Sequence, residues 1–156
     1  MPITSNRNPE KTVIWIAAII GLVVSGYLAY VKVFQQPIYC TPGLGDCATV
    51  NSSQWSELWG IPIALFGVLS YLTVQFLVFF GQKIAFLNRY SGFLVFGIGT
   101  FGFLYSLYLT YLEIFVLKTI CQWCLVSAIC MTAIFVASIL WIKRVPESLK
   151  VNRRKN

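Results

Sequence analysis

The chain of 156 residues contains no histidine. Histidine-based acid–base catalysis and the common zinc sites are thereby excluded. Charge is scarce as well: 11% of residues are Asp, Glu, Lys or Arg, against about a quarter in soluble domains. Acidic residues number only 5, while 58% of the chain is hydrophobic. No internal repeat or low-complexity tract is present, and no polar segment is large enough for a separate globular domain. That composition excludes a soluble enzyme and an extended disordered chain.

What is present instead is a set of four stretches without a charged side chain, at 12–31, 58–82, 90–112 and 119–142. Each has the roughly 20 residues that an α-helix needs to cross a bilayer core of about 30 Å. The expected fold class is all-α integral membrane: one membrane domain over 1–156, built as a four-transmembrane-helix bundle. Its spans are expected at about 12–34, 60–81, 90–112 and 119–142. An extracytoplasmic loop 35–59 joins the first two, and a cytoplasmic basic tail 143–156 follows the last. Pro37 stops the first helix, Gly60-Ile61-Pro62 opens the second, and Gly81 closes it. The first stretch is too long for the core of a signal peptide and lacks an A-x-A site, so it is expected to be retained.

Within the loop, Asn51-Ser52-Ser53 supplies good helix-capping residues, and Trp55 and Trp59 follow one turn apart. A short surface helix is expected there, with both indoles at headgroup level, capping the active site. Asn51-Ser52-Ser53 also spells a glycosylation acceptor, for which helix capping is the simpler explanation.

The formal net charge of +7 is distributed by side. Arg7, Lys11, Lys83, Arg89 and the six basic residues from Lys143 onward share one face of four crossings. Lys32, Lys118, Asp46, Glu57 and Glu113 fall on the other. Short basic loops stay cytoplasmic, so both termini are expected in the cytoplasm, with loop 35–59 and connection 113–120 on the periplasmic side. The basic tail also suits anionic lipid, and no nucleic-acid partner is expected. Gly97-Ile98-Gly99-Thr100-Phe101-Gly102 spells a dinucleotide fingerprint, but inside a span it reads as small residues for close helix packing. Tyr105 and Tyr108 read as bundle packing before ligand contact.

The chemistry rests on five cysteines. Cys40 and Cys47 lie in the outer loop, and Cys121-Gln122-Trp123-Cys124 begins the fourth span at its outer end. All four therefore face the oxidising side, where disulfides persist. The i, i+3 spacing puts Cys121 and Cys124 on one helix face, and the helix N-terminus favours a thiolate. Such a thiolate at a lipid–water boundary suits electron transfer between an aqueous disulfide and a lipid-soluble acceptor. A structural disulfide and a four-cysteine zinc site are the plainer alternatives; loose Cys40–Cys47 spacing and the extracytoplasmic position argue against the metal, and none is expected. Cys130, deeper in the bilayer, reads as an inert small hydrophobe.

The loop cysteine pair, Cys47-Ala48-Thr49-Val50-Asn51-Ser52-Ser53, the Gly60-Ile61-Pro62 opening and Cys121-Gln122-Trp123-Cys124 together resemble the vitamin K epoxide reductase family, most closely its bacterial branch. The resemblance covers about 12–142. Another class of four-span disulfide-generating oxidases carries its C-x-x-C first and its separated pair second, the reverse order. The resemblance implies a membrane thiol:quinone oxidoreductase that supports disulfide-bond formation. By position, Cys40 and Cys47 are the shuttle pair, Cys121 exchanges with Cys47, and Cys124 faces the quinone. Ser52 or Ser53 matches the family's loop serine near the quinone. Ala128 stands where animal members carry a tyrosine, and Ile63 near their quinone-contacting asparagine. An ordinary ubiquinone or menaquinone is therefore the expected substrate rather than vitamin K epoxide. The thioredoxin-like domain fused in some bacterial members is absent, so a separate thioredoxin-like periplasmic partner is expected, with the protein integral to the bacterial inner membrane. The rival from another class is a non-catalytic membrane scaffold with structural disulfides in its outer loop. A transporter is disfavoured because the four charge-free stretches carry no acidic or basic side chain.

Overall fold

A computed structural model of the protein describes residues 9–43, 45–81 and 85–153, the side chains of 85–89 and 144–153 excepted. Of the residues that carry the charge argument, Arg7, Lys83, Arg154 and Lys155 lie outside the described residues, as do the side chains of Arg89, Arg144, Lys150 and Arg153.

The architecture is an all-helical bundle. Helix α1 covers Pro9–Val33, the short α2 covers Cys47–Ser52, and α3 covers Ile63–Phe80. Helix α4 covers Ala85–Tyr111 and runs into a π-helical segment, Leu112–Leu117; α5 covers Gln122–Arg153. Among the described residues, four helical stretches are long and apolar enough to cross a membrane: Pro9–Val33, Ile63–Phe80, Tyr90–Leu117 and Gln122–Lys143. The outer surface carries Val23, Leu69, Phe93 and Phe101, each more than half exposed. Water does not tolerate so continuous an apolar surface, and the protein is integral to a membrane.

Helix α1 packs against both α3 and α5, α4 packs on α5, and α3 meets α4 more sparingly. The core between them holds Ile14, Ala18, Tyr71, Val74, Val95 and Ile134, all fully buried. Small residues set the spacing. A side chain at Gly21 would collide with the Tyr71 ring, whose hydroxyl donates to the Ser127 carbonyl at 2.9 Å. Gly99 and Gly102 admit Phe135 and Met131 of α5. Two glycines of the fingerprint-like run thus serve helix packing, as their position in a span implies.

The loop is built differently from its sequence-based expectation. Its helix is α2, which starts earlier, because Asp46 outcompetes Asn51 as the N-cap: its carboxylate accepts the Ala48 and Thr49 N–H groups. The Thr49 hydroxyl also donates to it at 2.5 Å. These hydrogen bonds, that of the hydroxyl first, hold the Asp46 carboxyl below the usual carboxylate range. Ser52 ends α2, and Ser53 is its C-cap and leads into the next turn without a side-chain cap bond. Beyond a 3-10 turn at Gln54–Ser56, the chain makes a two-residue hairpin, β1 (Glu57–Leu58) against β2 (Ile61–Pro62). Trp59 and Gly60 form its turn, at φ 54° and 79°. Two successive left-handed residues make the tight turn that matches strand twist. Trp59 is consequently 96% exposed at a hairpin tip rather than on a helix with Trp55. Pro62 then stands immediately before α3, where its missing N–H costs nothing.

Candidate thiol–disulfide site

The cysteines assemble where the loop folds onto the start of α5. Three hydrogen bonds pin it there and a fourth ties it to Tyr27 of α1. The Asp46 N–H donates to the Thr119 hydroxyl at 2.9 Å, and the Thr41 N–H to the Gln122 side-chain oxygen at 3.3 Å. The Trp123 indole donates to the Tyr39 carbonyl at 2.9 Å, and the Tyr39 N–H to the Tyr27 hydroxyl at 3.2 Å. From the other side, Lys32 of α1 donates to the Asn51 carbonyl at 2.7 Å and to the Ser56 hydroxyl at 2.9 Å. It also pairs with Glu57 at 3.0 Å. The loop's anchors are therefore Thr119, Gln122, Trp123 and Lys32, in place of the two tryptophans.

Gly45 is the closest backbone approach in this arrangement. It has φ +115°, and a Cβ there would run into the Ile120 carbonyl. Gly43, at φ +91°, has open space around it. Gly45 thus clamps the loop to the bundle, and only Gly43 fits the role of a flexible link.

Cys40 and Cys47 are joined in a disulfide with Cα atoms 6.1 Å apart. Cys121, Cys124 and Cys130 are free. Cys47 and Cys121, which are 74 positions apart in the sequence, are both fully buried and pack in one cluster with Val50, against Cys40, Leu117 and Cys124. Cys40 keeps partial exposure. Cys121 immediately precedes α5, and its sulfur accepts the Cys124 N–H at 3.4 Å, a helix-start donor aimed at the thiol. Cys130 sits apart in the apolar core with Met131 and Ile134.

Beneath this cluster lies a cavity of about 430 Å³, within the range of small-molecule sites. Cys124 lines it, together with Ser53, Tyr71, Tyr105, Met131 and Glu113. Phe66 of α3 and Phe101 of α4 line it too, and both are exposed on the outer surface of the bundle. The cavity therefore adjoins the lipid-facing side between α3 and α4. Of the two loop serines, Ser53 reaches the cavity, whereas Ser52 is exposed and donates to the Thr49 carbonyl at 3.3 Å. Ala128 also lines the cavity, as does Ile63; Tyr105 does so and Tyr108 does not.

One site residue escaped sequence reasoning. Glu113, expected in a solvated connection, is only 6% exposed. The third spanning helix continues to Leu117 through the π-helical segment, whose wider turn directs Leu112 and Glu113 inward and Ile114, Phe115 and Val116 outward. The Glu113 carboxylate accepts the Cys121 N–H at 3.0 Å and lines the same cavity as Cys124. Its one available signal was its position, eight residues before Cys121 at the end of a charge-free run.

The geometry thus brings together four apolar spanning helices, a loop disulfide and a free C-x-x-C pair packed against it. Residues 12–139 match the Vitamin K epoxide reductase family, and the chain belongs to that family, whose members are generally oxidoreductases.

Proposed function

We propose that the protein is a membrane thiol:quinone oxidoreductase. It passes electrons from the dithiol of a thioredoxin-like periplasmic protein through Cys40/Cys47 to Cys121/Cys124 and then to a quinone, supporting disulfide-bond formation. The observation that carries this reading is the burial of Cys47 against Cys121, three residues before a cysteine that lines an apolar cavity. The partner's thiolate attacks Cys40, the more exposed sulfur of the loop disulfide, and releases Cys47. The partner's second thiol then resolves the mixed disulfide. Each exchange runs through a thiolate and a mixed disulfide. Freed Cys47 attacks Cys121 of an oxidised Cys121–Cys124 pair, Cys40 re-forms its bond to Cys47, and the C-x-x-C pair is left as a dithiol. A closed loop disulfide with free Cys121 and Cys124 is the state that follows these steps.

The cavity chemistry fits a quinone: apolar walls for a flat ring, and Cys124, Ser53, Tyr105 and Glu113 as polar groups for its two oxygens. Cys124 closes a disulfide with Cys121 as two electrons leave for the ring and two protons join it. Ser53, rather than Ser52, is the loop serine in this role. With Ala128 and Ile63 on the wall, ubiquinone or menaquinone suits the site. The basic flanks orient the site to the periplasmic side of the bacterial inner membrane, with both termini cytoplasmic.

The test uses purified protein in lipid, a reduced thioredoxin-like protein and ubiquinone or menaquinone. Equimolar consumption of dithiol and quinone is expected. A loop disulfide that survives the dithiol, with no quinone reduced, would establish the non-catalytic scaffold instead.

A further inference from the structure

We propose that Glu113 is the base that takes the proton of the Cys124 thiol and hands it to the quinone oxygen as the Cys121–Cys124 disulfide closes. The inference rests on the thiol:quinone reading above. A carboxylate inside a spanning segment is costly and persists where it has work to do. No basic residue pairs with Glu113 among the described residues. Its hydrogen bond is instead to a reacting cysteine, the Cys121 N–H at 3.0 Å, one helical turn from Cys124. It also lines the cavity beside Cys124, so one carboxylate reaches both the proton's origin and its destination. The π-helical segment that turns it inward is a local distortion of the kind found at functional sites.

The step balances. Cys124 loses its proton to the Glu113 carboxylate, and its sulfur bonds to that of Cys121, whose proton leaves to water at the outer face. Two electrons pass to the quinone; one of its oxygens takes the proton from Glu113 and the other takes one from water. The products are a disulfide, a hydroquinone and the regenerated carboxylate. Such proton transfer is worth roughly a hundredfold or more in rate. The titratable groups facing Glu113 are Cys121 just before α5, Cys124 within it and, across the cavity, Tyr71 of α3 and Tyr105 of α4. Lys32 of α1 is turned to Glu57 and the loop.

Glu113→Gln keeps an acceptor for the Cys121 N–H but holds no transferable proton. Three measurements are made on it and on the native chain in lipid: single-turnover quinone reduction against pH, partner-driven Cys47–Cys121 exchange, and the infrared change on chemical oxidation of the cysteines without quinone. Quinone reduction in Glu113→Gln should fall roughly a hundredfold. It should also lose the native decline toward acid pH. Exchange should continue at the native rate, and Glu113→Asp should restore part of the quinone step. On oxidation the carboxylate loses its thiol donor, so a protonated-acid carbonyl band should appear in the native protein and be missing from Glu113→Gln. An unchanged rate and pH profile, equal loss of exchange and quinone reduction, or no acid band would overturn the proton role. A native chain that reduces no quinone would instead sink the thiol:quinone reading, while the infrared band still reports on Glu113.

Discussion

At the scale of single residues, burial separates the five cysteines by task. Cys40 is reachable, Cys47 and Cys121 meet out of water, Cys124 touches the cavity, and Cys130 fills the core. Cys130→Ala removes one sulfur from the core, a loss on the order of 1 kcal/mol. It should retain most partner-driven turnover, with a slightly lower midpoint on heating. Cys40→Ala, Cys47→Ala, Cys121→Ala and Cys124→Ala should each abolish that turnover, because each removes one exchange step. The placement of the five cysteines, two in the loop, two at the start of the fourth span and one deeper, was legible in their spacing and the charge-free runs around them. Glu113 was not, because a helix that widens to a π turn leaves no mark in hydrophobic periodicity. Ser52 and Ser53 could not be told apart either, since only the end of α2 decides which one turns to the cavity.

Among the elements, α2 and the strand of loop before it govern how close Cys47 comes to Cys121. Gly45→Ala combines a left-handed φ with a collision against the Ile120 carbonyl, whereas Gly43→Ala meets only the backbone cost, about 1–2 kcal/mol. Gly45→Ala should therefore slow Cys47–Cys121 exchange far more than Gly43→Ala, measured by quenched non-reducing peptide mapping. Asp46 offers a pH handle on the same helix. Its folded carboxyl lies below the ordinary value, so the stabilisation is complete above that value, about pH 3.9, and is lost as pH falls through the lower folded one. Acid should deprotect the Ala48 and Thr49 amides in the native chain and leave Asp46→Asn unaffected, read by hydrogen exchange. The four spans were readable from length and charge alone. The loop was not, because Asp46 and Asn51 are both good caps and tertiary contacts to Thr119, Gln122 and Lys32 chose between them.

For the whole molecule, the bundle sets the cysteine cluster at one end of four spanning helices, and the proposed orientation places that end outside. After mild reduction of intact cells, a membrane-impermeant thiol reagent should label Cys40 first, given the burial of Cys47. Labelling only after the cytoplasmic face is opened would reverse the orientation. The central claim, electron relay from loop to C-x-x-C pair, is tested most directly in Cys124→Ser. With Cys124 gone, Cys121 has no neighbour to displace Cys47, while a Cα separation of about 4.4–6.8 Å suffices for the bond. Treated with reduced partner and reoxidised, this variant should accumulate a Cys47–Cys121 disulfide in non-reducing peptide maps. A trapped Cys40–Cys121 bond, or no bond between the two pairs, would contradict the relay.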